Sequence, residues 1–399
     1  MLSSARTPPC LLTLILVSAL SVVSLTMFLP SLASIATAFG ADYGLVNLSI
    51  AGYAAMTAVL QLVMGPLSDR FGRRPVMLAA VSIFTLASLG CLLATDIWGF
   101  LLFRMLQGAI ISGYAVSMAV IRDMTPARKA ASLMGYVAVG WALGPMLGPL
   151  LGGALDAAFG WRASFVAFVA FGAAVLALCW VDLGETNRSR SETFAAQLRS
   201  YPELFRSRRF WGYSLCMAFS IGAFYIFLGG APLVAAAQIE MSPVALGAAM
   251  GSTTAGFVLG SFLAGRFAAR HALTTMMIAG RLVACAGLVA GLGLLAVGGV
   301  SVAAIFGACV VVGLGNGLTF PSANAGALSV RQELAGSAAG LSGALMVAGG
   351  GALSAVAGAV LTEENAAPAM LAMMLLASLL SLAAALFVLW IDRRAPQAA

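Results

Sequence analysis

Two apolar runs, residues 45–64 and 76–94, are joined by Gly65-Pro-Leu-Ser-Asp69-Arg70-Phe-Gly72-Arg73-Arg74-Pro75. At the rise of an α-helix, each run is long enough to cross a hydrocarbon core of about 30 Å. A glycine-broken, arginine-rich turn between two such runs has to sit at a membrane surface, because guanidinium groups are costly in hydrocarbon. The excess of arginine puts that surface on the cytoplasmic side. The chain therefore has to fold as a polytopic membrane protein.

Charge is scarce throughout. Of 399 residues, 61% are hydrophobic and 9% charged, against roughly a quarter charged in a soluble domain. A formal charge of +7 would suggest nucleic acid in a soluble protein. Here the basic residues are scattered through short loops, so topology explains them and no nucleic-acid partner is expected. The six cysteines (Cys10, Cys91, Cys179, Cys216, Cys285, Cys309) fall in or beside apolar runs without CxxC spacing. They read as small buried hydrophobes, with no metal site or disulfide framework. The first apolar run, from Cys10 to Leu29, is too long for a signal-peptide core and reads as a retained helix.

Apolar windows between charged or Pro/Gly-rich breaks predict an all-α membrane protein of twelve spans. Their centres lie near Val17, Ala55, Thr85, Ile111, Leu143, Val169, Phe224, Gly256, Ala286, Val310, Ala344 and Leu379. With both termini cytoplasmic, the inner segments collect nearly all the arginines, from Arg6 and Arg70 to Arg393 and Arg394. The opposite loops hold Arg162 beside Asp42, Asp96, Asp156, Glu240, Glu363 and Glu364. That asymmetry supports the even count.

The longest polar interval predicts two six-helix bundles, residues 1–182 and 210–399, joined by a cytoplasmic linker over 183–209. Phe194, Leu198, Tyr201, Leu204 and Phe205 among arginines make the interval either a surface helix or a solvated linker. Leu263-Ala-Gly265-Arg266-Phe267-Ala-Ala-Arg270 echoes the frame of Leu67–Arg74 at the same place in the second half, as a parallel repeat with a pseudo-two-fold axis would give.

The Asp69–Arg74 loop resembles the signature loop of the major facilitator superfamily. Arg104-Met-Leu-Gln107-Gly108 resembles that superfamily's second signature. Gly140-Trp-Ala-Leu-Gly144-Pro145-Met-Leu-Gly148-Pro149-Leu-Leu-Gly152-Gly153 resembles its antiporter signature. Met27-Phe28-Leu29-Pro30, Gly160-Trp161-Arg162, Gly230-Ala231-Pro232 and Gly317…Pro321 are similar to the bicyclomycin-resistance (Bcr/CflA-type) drug-efflux branch. The resemblance covers nearly the whole chain and implies the major facilitator fold. It departs at one place: that branch usually carries an aspartate, thought to take the proton, where this chain has Thr26.

By that resemblance, Gly65, Asp69, Arg70, Gly72, Arg73 and Arg74 form a latch closing the inner side, with Asp123 as a carboxylate partner. Asp69, near a helix end, is placed to bond free backbone N–H groups of a neighbouring helix. The spacing near four of Gly140, Gly144, Pro145, Gly148, Pro149, Gly152 and Gly153 leaves one helix face almost without side chains, so that another helix can approach closely. The glycines of span eleven (Gly336, Gly340, Gly343, Gly349, Gly350, Gly351) are the candidate counterpart.

Arg104 lies about 10 Å inside its span at helical rise and, with Gln107, is the candidate transport residue. Arg281 carries no motif and is expected to snorkel to the inner surface. His271, the one histidine, sits in an inner loop and is expected to be solvated. Polar and aromatic residues at lipid depth usually face the bundle interior. Thr26, Met27, Tyr53, Gln61, Gln107, Tyr114, Tyr136, Phe224, Tyr225, Asn316 and Asn324 are therefore candidate cavity residues.

These features imply a transporter and not an enzyme: a secondary carrier of a bacterial inner membrane, acting as a monomer among its lipids. It would export small amphipathic compounds by alternating access and proton antiport. No cofactor is expected, and no Walker sequence supports direct ATP drive. The missing carboxylate at Thr26 leaves room for an uptake carrier or an uncoupled facilitator. A membrane sensor or scaffold that moves nothing is the reading from another class, though loops this short leave it no soluble module.

Overall fold

The computed structural model describes residues 9–125, 127–187, 204–267, 270–330 and 335–394. By its internal packing the chain divides into two units, Met1–Gln197 and Leu198–Ala399. Residues 188–203, most of the expected linker, lie outside the described residues.

The first unit runs α1 (Leu11–Thr26), a 3-10 turn at Leu29–Ser31, α2 (Leu32–Phe39), α3 (Tyr43–Phe71) and α4 (Arg73–Leu93). It continues through α5 (Ile97–Gln107), a second 3-10 turn at Gly108–Ile111, α6 (Ser112–Met124), α7 (Ala127–Phe159) and α8 (Arg162–Asp182). The second runs α9 (Arg208–Val234), a π-turn at Ala235–Ile239, α10 (Pro243–Phe267), α11 (Leu273–Gly298), α12 (Val302–Ser329), α13 (Ala335–Val360) and α14 (Ala366–Arg394).

Each of the twelve expected centres falls in its own helical pass, with α1–α2 forming the first and α5–α6 the fourth. Among the described residues, eleven passes are long and apolar enough to cross a bilayer, and α7 adds the shorter apolar stretch Leu147–Phe159. The protein is an all-helical, multi-pass membrane protein.

Polar residues at the helix ends set where the passes begin. Asp42 Oδ2 accepts from Gly44 N–H and Asp96 Oδ1 from Gly99 N–H, both at 2.9 Å. Ser207 and Ser301 do the same for α9 and α12. Each satisfies a backbone donor that the helix leaves free. Asp156 is not in a loop, as the hydropathy pattern places it, but in the last turns of α7, and is buried.

Rings fill the core of the first unit. Phe165 packs against Phe100, Trp161 and Phe168 with centroids 5.4–5.8 Å apart, mostly edge to face, and Phe84 meets Phe168 at 5.9 Å. Such edge-on pairs stabilise beyond the area they bury. The second unit is built more on absent side chains. A Cβ on Gly256 or Gly260 of α10 would run into backbone of α12, and one on Gly313 or Gly317 would run into backbone of α10. Gly280 and Gly315 stand in the same relation across α11 and α12. Small residues at these crossings let backbones touch, the main source of attraction between helices already in lipid. In α13, Gly349 and Gly350 rest on Ala218 and Tyr225 of α9.

The cysteines divide by position. Cys91, Cys179, Cys216 and Cys309 are buried and Cys285 is half-buried, whereas Cys10 is exposed. Leu204 is buried and Phe205 exposed, with Phe205 O accepting from Trp211 Nε1–H at 2.8 Å.

Candidate functional site

The turn between α3 and α4 is made at Gly72, whose φ of 105° is one that side-chain-bearing residues avoid. A Cβ there would also strike the Glu185 carboxylate. That carboxylate sits over the first turn of α4. Its oxygens accept from Arg73 N–H at 3.0 Å, Arg74 N–H at 3.4 Å and Asn187 N–H at 2.9 Å. A negative group there satisfies free donors and faces the positive end of the helix dipole.

Arg73, only 4% exposed, reaches Asp123 Oδ2 through Nε at 3.0 Å and Ser68 Oγ through Nη1 at 2.5 Å. Arg74 Nη2 donates to Trp180 O at 2.9 Å and its guanidinium lies over the Trp180 ring. The structure thus brings Gly72, Arg73, Arg74 and Asp123 together. Arg70 stays exposed beside Phe71. The surroundings of Gly65 and the side chain of Asp69 lie outside the described residues. Glu185, which the sequence places in the linker, caps the start of α4. Glu185→Ala is expected to cost about 1–2 kcal/mol, read as a lower unfolding temperature of the purified protein. Glu185→Gln should recover part of it.

Arg104 is fully buried and does not snorkel. Its Nη1 donates to Gln107 Oε1 and to Ser24 O, the latter at 3.3 Å. Gln107 Nε2 passes the chain on to Ser88 Oγ at 2.6 Å, and Ser88 Oγ donates to Phe84 O at 2.7 Å. The guanidinium lies 4.0 Å from the Phe28 ring centroid and 4.9 Å from that of Tyr53, whose hydroxyl meets Ser24 Oγ at 2.7 Å. One guanidinium therefore ties α1, α3, α4 and α5 together. The ring faces offset part of its desolvation, and its Nε and Nη2 are left without a partner.

Arg281 corrects the snorkelling expectation. It too is fully buried. Its Nε donates to Thr319 Oγ1 at 2.9 Å and its Nη2 to Asn316 Oδ1 at 2.7 Å. Ser220 Oγ donates to the same Asn316 oxygen at 2.9 Å, and Asn316 Nδ2 returns a bond to Ser220 O at 3.3 Å. Those partners lie in α9 and α12, so the guanidinium binds inward instead of reaching for the surface. Each unit thus holds a buried arginine that donates to an amide side-chain oxygen, Gln107 in the first and Asn316 in the second.

Thr26 lies in a seam between helices. Its hydroxyl is within 3.2 Å of both Val22 O and Gly144 O. A Cβ on Gly144 would meet Val22 at 2.9 Å; on Gly148 it would meet the Thr26 hydroxyl, and on Gly152 the Met27 carbonyl. The bare face of α7, with Pro145 and Pro149 inside the helix, is pressed onto α1. Gly153 lies in the same helix and is buried, while the surroundings of Gly140 and the side chain of Tyr136 fall outside the described residues.

Of the other candidates, Met27 and Tyr225 are buried, and Gln61, Tyr114, Phe224 and Asn324 are half-buried. His271 is exposed, beside Phe267.

The family described as Major Facilitator Superfamily matches residues 14–355. A Bacillus subtilis protein named as an uncharacterized MFS-type transporter, YdgK, is 30% identical over 64% of this chain and 67% of its own. A chloramphenicol resistance protein of Pseudomonas aeruginosa is 32% identical over 53% of this chain and 51% of its own. The multidrug transporter MdfA of Yersinia pestis is 28% identical over 63% and 62%. The chain thus spans about half to two thirds of these relatives. Among solved structures, a bacterial homolog of the human lysosomal transporter Spinster superposes with TM-score 0.75 at 18% identity, covering 96% of each chain. A D-xylose–proton symporter gives 0.74 at 16%, covering 95% of this chain and 96% of its own.

Proposed function

Because this chain belongs to the Major Facilitator Superfamily, a family of membrane transporters, we propose that it exports small amphipathic compounds across a bacterial inner membrane, in exchange for protons and by alternating access. Both termini would lie on the cytoplasmic side. The observation carrying this reading is the α1–α7 seam. At Gly144, Gly148 and Gly152 the antiporter-type stretch meets Val22, Thr26 and Met27 with no side chain of its own in the way, and two prolines sit inside the helix. A proline inside a helix removes a backbone bond and gives a bending point. Relatives named for chloramphenicol resistance and multidrug transport support the choice of cargo.

In this reading the Arg73–Asp123–Glu185 cluster acts as a latch, and Arg104 with Gln107 acts in transport. The half-buried Tyr114, Phe224 and Asn324 are the candidates for touching cargo. Expression in a drug-sensitive host should raise resistance to chloramphenicol several-fold. Proteoliposomes should release the drug faster when a pH gradient is imposed. Unchanged susceptibility together with no flux would overturn the assignment.

One observation favours a second reading, carriage without proton coupling. The hydroxyl at Thr26 is engaged with the Gly144 carbonyl, so this position offers no free acid–base group. Thr26→Val is expected to cost about 1 kcal/mol of stability and to leave the response to the gradient unchanged. A lost response would return Thr26 to the coupling machinery.

A further inference from the structure

The bare face of α7 ends in a carboxyl group. Asp156 follows Gly152 by four residues, so its side chain leaves the helix on nearly the same side as that glycine. It is only 9% exposed. Ser34 Oγ of α2 donates to its Oδ2 at 3.4 Å, with Ser31 alongside.

The elements packed against this end bring almost no charge. The Leu29–Ser31 turn, α1 and α2 carry no titratable side chain. α8 contributes Arg162, whose guanidinium turns to Ala94 O at 3.5 Å and to the Trp161 ring at 4.2 Å. The α6 helix, which also packs against α7, has Arg122 and Asp123 in its last turn, at the opposite end, where Asp123 holds Arg73.

Among the described residues, two carboxylates are buried, Asp156 and Glu185. Glu185 is committed to three backbone N–H groups. Asp156 has hydroxyls instead. A hydroxyl donates to an ionised carboxylate and accepts from a protonated one, so this setting can hold either form.

We propose that Asp156 is the proton-binding carboxyl of this transporter, an assignment that rests on the antiport reading above. A proton from the adjoining aqueous phase forms an O–H bond on one carboxylate oxygen. Ser34 then turns from donor to acceptor, and no other bond is made or broken. The reverse step returns the proton to water. The loss of charge falls at the end of the α1–α7 seam, on nearly the same side of the helix as Gly152.

Two measurements test it on the full-length protein. Infrared difference spectra after a pH step should show a protonated-carboxyl band that Asp156→Asn lacks and Asp156→Glu restores at a shifted position. In proteoliposomes loaded with chloramphenicol, a several-fold acceleration by the gradient should fall to none in Asp156→Asn and return in Asp156→Glu. Unfolding temperature and monodispersity check that both variants fold. An unchanged band, or an undiminished response to the gradient in Asp156→Asn, overturns the proposal. So does failure of Asp156→Glu to restore either signal in a folded protein. A wild-type protein that carries chloramphenicol but ignores the gradient defeats the antiport reading itself, while loss of the band in Asp156→Asn would still locate the proton site.

Discussion

Gly152→Ala is expected to abolish transport and to lower the unfolding temperature more than any other single methyl added to α7. The methyl would overlap the Met27 carbonyl, and backbone cannot rotate away as a side chain can. Overpacking usually costs about 1–3 kcal/mol, and a collision with main chain belongs at or above the top of that range. Gly144→Ala meets a Val22 side chain instead and should be milder. Gly265→Ala and Gly293→Ala meet nothing within 4 Å and should stay within about 0.5 kcal/mol. Thermal unfolding in detergent beside flux in proteoliposomes reads all four. An active, stable Gly152→Ala protein would mean that α1 and α7 do not touch in the membrane.

The two buried arginines carry the second large effect. Arg104→Ala and Arg104→Lys are both expected to abolish transport while membrane insertion stays normal. Lysine cannot lie flat over both Phe28 and Tyr53 and still reach Gln107 and Ser24. Arg281→Leu should cost about 2–4 kcal/mol, since it removes two charge-assisted bonds. A double-mutant cycle with Asn316→Leu should return a coupling of about 1–3 kcal/mol. Additive effects of Arg281→Leu and Asn316→Leu would show that the pair is not formed. Wild-type flux in both Arg104 variants would reduce that residue to packing.

The spans were legible because hydropathy over twenty residues depends on the solvent and not on the partner helix. The glycine face of α7 was legible too, since an interval of four is one helix face whatever lies opposite. Arg73 and Asp123 could be paired from sequence because each sits at the same end of its own pass. Glu185 could not be recognised. A carboxylate that caps a helix more than a hundred residues earlier leaves no local mark and reads as linker.

Depth alone does not place Arg281, because it suits either snorkelling or burial. What decides is Asn316 and Thr319, three apart on one face of α12, the same interval that separates Arg104 from Gln107. Asp156 was hidden by the opposite problem. Hydropathy cannot tell the last turn of a helix from the loop after it, though its register with Gly152 gave a usable signal.

The 3-10 turn at Gly108–Ile111 separates the Arg104–Gln107 pair from the segment that carries Asp123 in its last turn. A 3-10 residue advances about 0.5 Å further and turns about 20° more than an α-helical one. Rewinding those four residues into α form would shorten the pass by about 2 Å and twist one end against the other by about 80°. The buried guanidinium and the Arg73–Asp123 ion pair are thus the two ends of a single screw, and torque applied at either is felt as thrust at the other.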